Sequence, residues 1–334
     1  MIATFRRIAV LLLALLTLAG CGALGDNSSS SNNNQGSGGA PGAPEKASIK
    51  VAVLPTMDIV PLQLAIDSGY FKDAGLDVTT VTAASGNDCV SKLVSGEVDF
   101  AFASWTPFFV AKAKGAGDIK LVADATASAP GYAVVTTMPN SPIQSIKDLP
   151  GKRVAITAKF TASHLLVQAQ LKVAGLDPNG VQYIEMPFPQ MAPALQGGQV
   201  DAAFMVEPFI QGAVKQVNAR TVFDTSNGPT ADFPLTGYAS LAAFANGNKN
   251  TVQAFQRALK KATDVAKTDR SKVDALLQKI AKVDAETSHK TVLANFVSSL
   301  DPSKIQKMVD LMVEFKALDK RIDVNEMIIR PPAT

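Results

Sequence analysis

Cysteine is almost missing from this chain. Cys21 and Cys89 are the only two in 334 residues, which excludes a disulfide framework and a cysteine metal cluster. Histidine is as scarce: His164 and His289 alone are too few to build a His/Cys metal centre. Neither sign of charge dominates, with 32 Lys and Arg against 29 Asp and Glu and a net charge of +3. A nucleic-acid binder would carry a marked basic excess, so no nucleic-acid partner is expected. The uncharged apolar run Ile8–Leu18 falls short of the about 20 residues that a bilayer-spanning helix needs. There is no G-x-S-x-G elbow, no Walker loop and no HExxH pair, so no catalytic residue, metal or cofactor is assigned.

What is present begins at the N-terminus. Arg6-Arg7, the apolar run and the small residues before Cys21 read as a secretory signal peptide over 1–20. Leu18-Ala19-Gly20-Cys21 resembles the bacterial lipobox. That resemblance implies lipidation of Cys21 and attachment to the outer face of the cell membrane, and it leaves Cys89 without a partner. Residues 21–47 contain DNSSSSNNNQGSGGAPGAP, a composition that cannot build a core, and read as a flexible tether with a reach of roughly 25–30 Å. Apolar residues make up 47% of the chain and charged ones 18%, enough to bury a proper core in the remaining body.

That body repeats itself. LVSGEVDFAFASWTPF (93–108) is echoed by LQGGQVDAAFMVEPF (195–209), and Ala74-Gly75-Leu76-Asp77 recurs as Ala174-Gly175-Leu176-Asp177. Strand signals at 49–53, 78–83 and 100–104 are matched by those at 152–156, 181–186 and 202–206. Helical patterns lie between them: Leu62, Ile66 and Tyr70 after Pro61 in one half, Leu165, Leu166, Ala169 and Val173 in the other. Thr161 or Ser163 can cap the second-half helix. Gly75 and Gly175 sit where a helix C-terminal glycine belongs. Each half thus reads β-α-β-α-β, an α/β class with parallel strands. The chain then returns through Leu235-Thr236-Gly237-Tyr238 into a strand-like run and turns helical to near its end, with an apolar stripe from Val252 to Ala266 and a helix start at Asp301-Pro302. In open parallel sheets ligands sit at the carboxyl ends of the strands, so a cleft between the two halves is expected.

Gly69-Tyr70-Phe71-Lys72-Asp73-Ala74-Gly75-Leu76-Asp77-Val78, Leu93–Ala103, Gly151–Ala155, Thr161–His164 and Gly197–Phe209 resemble the solute-binding proteins of ABC importers. The branch is the one that includes sulfonate, taurine, nitrate and thiamine-precursor binders, and the likeness spans roughly residues 49 to 245. The resemblance implies a two-lobed periplasmic-binding-protein fold, type II-like. Lobe 1 would take 48–140 and 235–334, lobe 2 would take 141–234, and the chain would cross between them near Ser141 and Pro234. It also implies an extracytoplasmic, monomeric protein that captures a small sulfonate-like anion or zwitterion by lobe closure and delivers it to a permease. A thiamine-pyrimidine ligand and a tethered sensor without an importer are the alternatives, with a pyrimidine synthase as the enzymatic one. Expected ligand contacts are Thr56, Met57, Asp58, Ser85, Asn87, Ser104, Trp105 and Thr106 in lobe 1, Phe160, Thr161, Ala162, Ser163 and Glu207 in lobe 2, and Tyr132 and Tyr238 near the crossings. Trp105 is the expected aromatic wall, Thr161–Ser163 the anion-binding helix end. Many members carry a small polar residue where Phe160 stands, which speaks against an anion as small as nitrate. His164 reads as an ordinary helix-face residue.

Overall fold

The computed structural model describes residues 42–330. The signal peptide, the Cys21 lipidation site and the tether up to residue 41 lie outside the described residues. The chain docks earlier than the composition implied. Glu45 accepts the Asn250 and Thr251 backbone N–H groups at 3.0 and 2.9 Å, capping a helix from outside, and Lys46 pairs with Asp99 at 2.7 Å.

In the first half, β1 (Ser48–Val53) is followed by α1 (Val60–Asp67), α2 (Tyr70–Asp73), β2 (Asp77–Thr82), α3 (Gly86–Val94), β3 (Phe100–Ser104) and α4 (Trp105–Ala113). Then come β4 (Ile119–Ala127) and β5 (Ala133–Thr137). The second half repeats the pattern with β6 (Arg153–Ile156), α5 (Ala162–Val173), β7 (Gln182–Glu185), α6 (Phe188–Gln196), β8 (Ala202–Val206) and α7 (Phe209–Val217). The chain continues through β9 (Arg220–Asp224), β10 (Pro234–Leu241), α8 (Ala242–Gly247), α9 (Lys249–Thr268), α10 (Arg270–Ala281), α11 (Ala285–Lys290), β11 (Asn295–Phe296) and α12 (Pro302–Glu314). Gly75 and Gly175 take φ of +78° and +74° just past α2 and α5, a conformation that an L-residue there would resist.

The strands form two sheets, ordered β11-β4-β10-β3-β1-β2 and β7-β6-β8-β5-β9. Within each, the repeated trio is parallel: β1 pairs with β2 and β3, β6 with β7 and β8. The sheets are mixed rather than parallel throughout, because β10 runs antiparallel beside β3 and β5 antiparallel beside β8. Each antiparallel strand takes the same place in its sheet. The first crossing therefore lies between β4 and β5, at 128–132, and not near Ser141; residues 133–137 already pair in the second sheet. The return crossing runs between Asp224 and Pro234. On the first sheet α9 supplies the core stripe read from sequence, with Phe255 stacked 4.3 Å from Phe100 and 5.3 Å from Phe71. Among the described residues, no helix is long and apolar enough to cross a membrane.

Candidate functional site

Strand ends of both sheets meet at one cavity with about 60 Å³ of free space. From the first sheet come Leu54, Thr56 and Asp58 after β1, Gly86 at the start of α3, Phe102 and Ser104 of β3, and Leu235 and Thr236 of β10. From the second come Thr157 after β6, Thr161, Ala162, Ser163 and Leu166 at the start of α5, Phe188 of α6, and Phe204 and Val206 of β8. Tyr132 and Ala133 close the crossing side. The walls are apolar, the ends carry hydroxyls, and the cavity-lining residues include no Lys, Arg, His or Cys.

Asp58 is the single carboxylate in this lining, and it is sealed by hydroxyls instead of a cation. Its Oδ1 accepts from Thr126 at 2.5 Å and Thr236 at 3.1 Å, and its Oδ2 accepts from Tyr132 at 2.6 Å. Burial pushes the Tyr132 phenol well above its ordinary range, and the Asp58 charge adds to that, so it stays a donor. Thr56 brings a buried hydroxyl that has no partner among the described residues. At the opposite wall the hydroxyls of Thr157, Thr161 and Ser163 form a triangle with sides of 2.8–3.1 Å. Beside it the Ala162 N–H, the first of α5, donates across the cavity mouth to Ser104 Oγ at 3.1 Å. A helix N-terminus offers unpaired N–H groups and the positive end of its dipole, so α3 and α5, starting at Gly86 and Ala162, both favour negative charge here.

Of the residues expected from sequence, Thr56, Asp58, Ser104, Tyr132, Thr161, Ala162 and Ser163 come together in the lining. The others go elsewhere, for identifiable reasons. Trp105 is wholly buried over Gly237 and faces the core rather than the cleft. Glu207, also fully buried, accepts from Gln211 at its own helix start and from the Val292 N–H at 3.3 Å, and burial raises its carboxyl pKa. It ties the loop at Val292 to the start of α7. Met57 packs with its Sδ 3.1 Å from the Ala294 N–H, Ser85 caps α3 through Asp88 N, and the Thr106 hydroxyl bonds Ser104. Tyr238 is buried, with its hydroxyl unpaired among the described residues. Asn87 and Phe160 stand outside the lining, in a neighbouring groove.

Sequence reasoning missed Thr157, Thr236 and the apolar walls, yet the repeat carried a signal for most of them. Phe102 and Phe204, Ser104 and Val206, and Gly86 and Phe188 are each 102 positions apart, and Leu54 and Thr157 are 103 apart. Equivalent positions of the two halves face each other across one cavity.

Two α/β units with paired sheets and a gap at their strand ends define the periplasmic-binding-protein fold. Residues 56–272 match the NMT1/THI5-like family, and the chain belongs to it. A protein of Escherichia coli K12 named for binding aliphatic sulfonates is 27% identical over 267 residues, covering 76% of this chain and 80% of its own. Among solved structures, the alkanesulfonate-binding protein SsuA of Xanthomonas axonopodis pv. citri, bound to MOPS, superposes with a TM-score of 0.74 at 22% identity, over 86% of this chain and 99% of its own. A Saccharomyces cerevisiae 4-amino-5-hydroxymethyl-2-methylpyrimidine phosphate synthase is 23% identical over 64% of this chain and 65% of its own.

Proposed function

We propose that this chain is the extracytoplasmic solute-binding component of an ABC importer, and that it captures a small organosulfonate between its two lobes. The reading is carried by one observation: a cavity rich in hydroxyls and helix N-termini, with apolar walls and no cationic side chain in its lining. An organosulfonate has a head that such N–H and O–H donors satisfy and a body that Phe102, Phe188 and Phe204 enclose. The sulfonate-binding names of the relatives support the same class. Residues 1–21 would then export the protein and anchor it through Cys21, and a permease would receive the solute. Binding, not turnover, is the proposed activity.

A thiamine-pyrimidine is the second reading, favoured by the phenyl walls and the Asp58 carboxylate, although the buried Trp105 lends it nothing. One panel separates the two. The protein is unfolded and refolded to strip carried-over solute, then melted with taurine, short alkanesulfonates, nitrate and hydroxymethyl-aminopyrimidine. A ligand at a hundred times its Kd adds about 2.7 kcal/mol, raising Tm by roughly 5 °C. A shift with sulfonates alone supports the first reading, a shift with the pyrimidine alone replaces it, and a flat panel from folded protein removes both.

A further inference from the structure

We infer that the Lys159–Phe160 turn is a latch between the two lobes, and that Phe160 is a positioning residue governing how readily the cavity opens. Phe160 is a bulky aromatic held at φ +62°, a backbone conformation that non-glycine residues adopt only where their surroundings impose it. Two sets of contacts impose it here. From its own lobe, the Phe160 N–H donates to His164 Nδ1 at 3.3 Å, and the His164 ring stands edge-on to the phenyl at 6.0 Å. From the other lobe, Asn87 of α3 donates its Nδ2–H to the Lys159 carbonyl at 3.2 Å, and Lys114 at the end of α4 brings Nζ within 5.9 Å of the phenyl centroid. The ring remains 38% exposed at the rim of a groove shared with Val90, Val94 and Pro107, so burial alone does not explain its placement.

Neither Phe160, Asn87 nor Lys114 lines the central cavity. They can influence a solute only through closure. Lobe opening pulls α3 and α4 away from the β6–α5 turn, breaking the Asn87 and Lys114 contacts together with the adjacent Ser104–Ala162 bond. Left without them, the turn keeps only the His164 contacts to hold Phe160 in its disfavoured conformation. Closure and turn geometry are thus coupled.

The test needs no solute, so it stands apart from the fate of the sulfonate reading. Hydrogen exchange is followed by mass spectrometry on the ligand-free full chain, in wild type, Phe160→Ala, Phe160→Tyr and Asn87→Ala. Each Ala variant is expected to speed exchange at least about threefold in both the 158–166 and the 84–91 segments, because each removes one of the contacts that tie the turn to the other lobe. Phe160→Tyr keeps the ring and should restore wild-type rates in both. Faster exchange confined to the substituted segment would overturn the latch, and so would unchanged rates in both. Asn87 is exposed, so its variant tests the idea even if Phe160→Ala folds poorly.

Discussion

Replacing Asp58 by Asn tests the centre of the site. The carboxylate is buried and takes three hydroxyl hydrogen bonds, from β4 (Thr126), the crossing (Tyr132) and β10 (Thr236). Hydrogen bonds to a charged group contribute about 1.5–3 kcal/mol each. The amide keeps one acceptor, loses the charge and turns an N–H pair toward one of the donors. The hydroxyls can rotate in part to meet it, so the expected net loss is about 2–4 kcal/mol. Urea unfolding followed by circular dichroism reads this as a lower midpoint at unchanged slope. A double-mutant cycle with Tyr132→Phe should return a coupling of about 1 kcal/mol or more, since the 2.6 Å bond is then counted once. A loss below about 0.5 kcal/mol with no coupling would refute the claim that Asp58 organises these three elements. Binding adds a sign. Asp58 lines the cavity, so Asn should tighten a pure anion by removing a like charge and weaken a ligand whose amine faces that wall.

Two further outcomes follow from the same geometry. At Gly237 an added Cβ would overlap the six-membered ring of Trp105 and stand 2.6 Å from the Ala123 carbonyl oxygen, so Gly237→Ala should cost about 3 kcal/mol or more and lower Tm by roughly 6 °C or more; an unchanged Tm would mean the indole does not pack on β10 as described. Burial lowers the His164 pKa to about 4, against about 6.5 in an unfolded chain, so the unfolded state binds the extra proton between those values and stability is full above pH 6.5 and lost toward pH 4. The loss is on the order of 3 kcal/mol. Burial raises Asp124 and Glu207 instead, which opposes this trend, so the quantity to measure is wild type minus His164→Gln across pH 4–7; a flat difference would contradict the buried neutral ring.

Most of the fold was legible because its signals are local. A β-branched run such as Ile49–Val53 states its strand, Pro61 and Asp301-Pro302 state helix starts, and Gly75 and Gly175 state helix ends, all within a few residues. The repeat then supplied the parallel trios, since two equal series of strands and helices must wind alike. What stayed hidden was non-local. Nothing near Ala133 says that β5 leaves the first sheet, because that choice depends on the open edge of β8, some seventy residues downstream in the chain.

The site divides along the same line. Hydroxyls at strand ends and helix starts were readable, and Thr56, Ser104, Thr161 and Ser163 do meet. Trp105 and Glu207 misled because a strand end fixes where a residue sits but not which way its side chain leaves. The residue after β3 begins a helix, which turns Trp105 under the sheet onto Gly237, where only a glycine leaves room for the indole. Glu207 stands one position beyond β8, where its carboxylate swings to the first turn of α7 and the Val292 N–H. The two halves, however, shared a better guide than residue chemistry. A pair such as Phe102 and Phe204 looks like two unrelated core residues until the strands are superposed, when both fall on the same position and therefore on the same face of the gap. In a protein built by doubling, internal alignment finds apolar walls that no search for polar groups would flag.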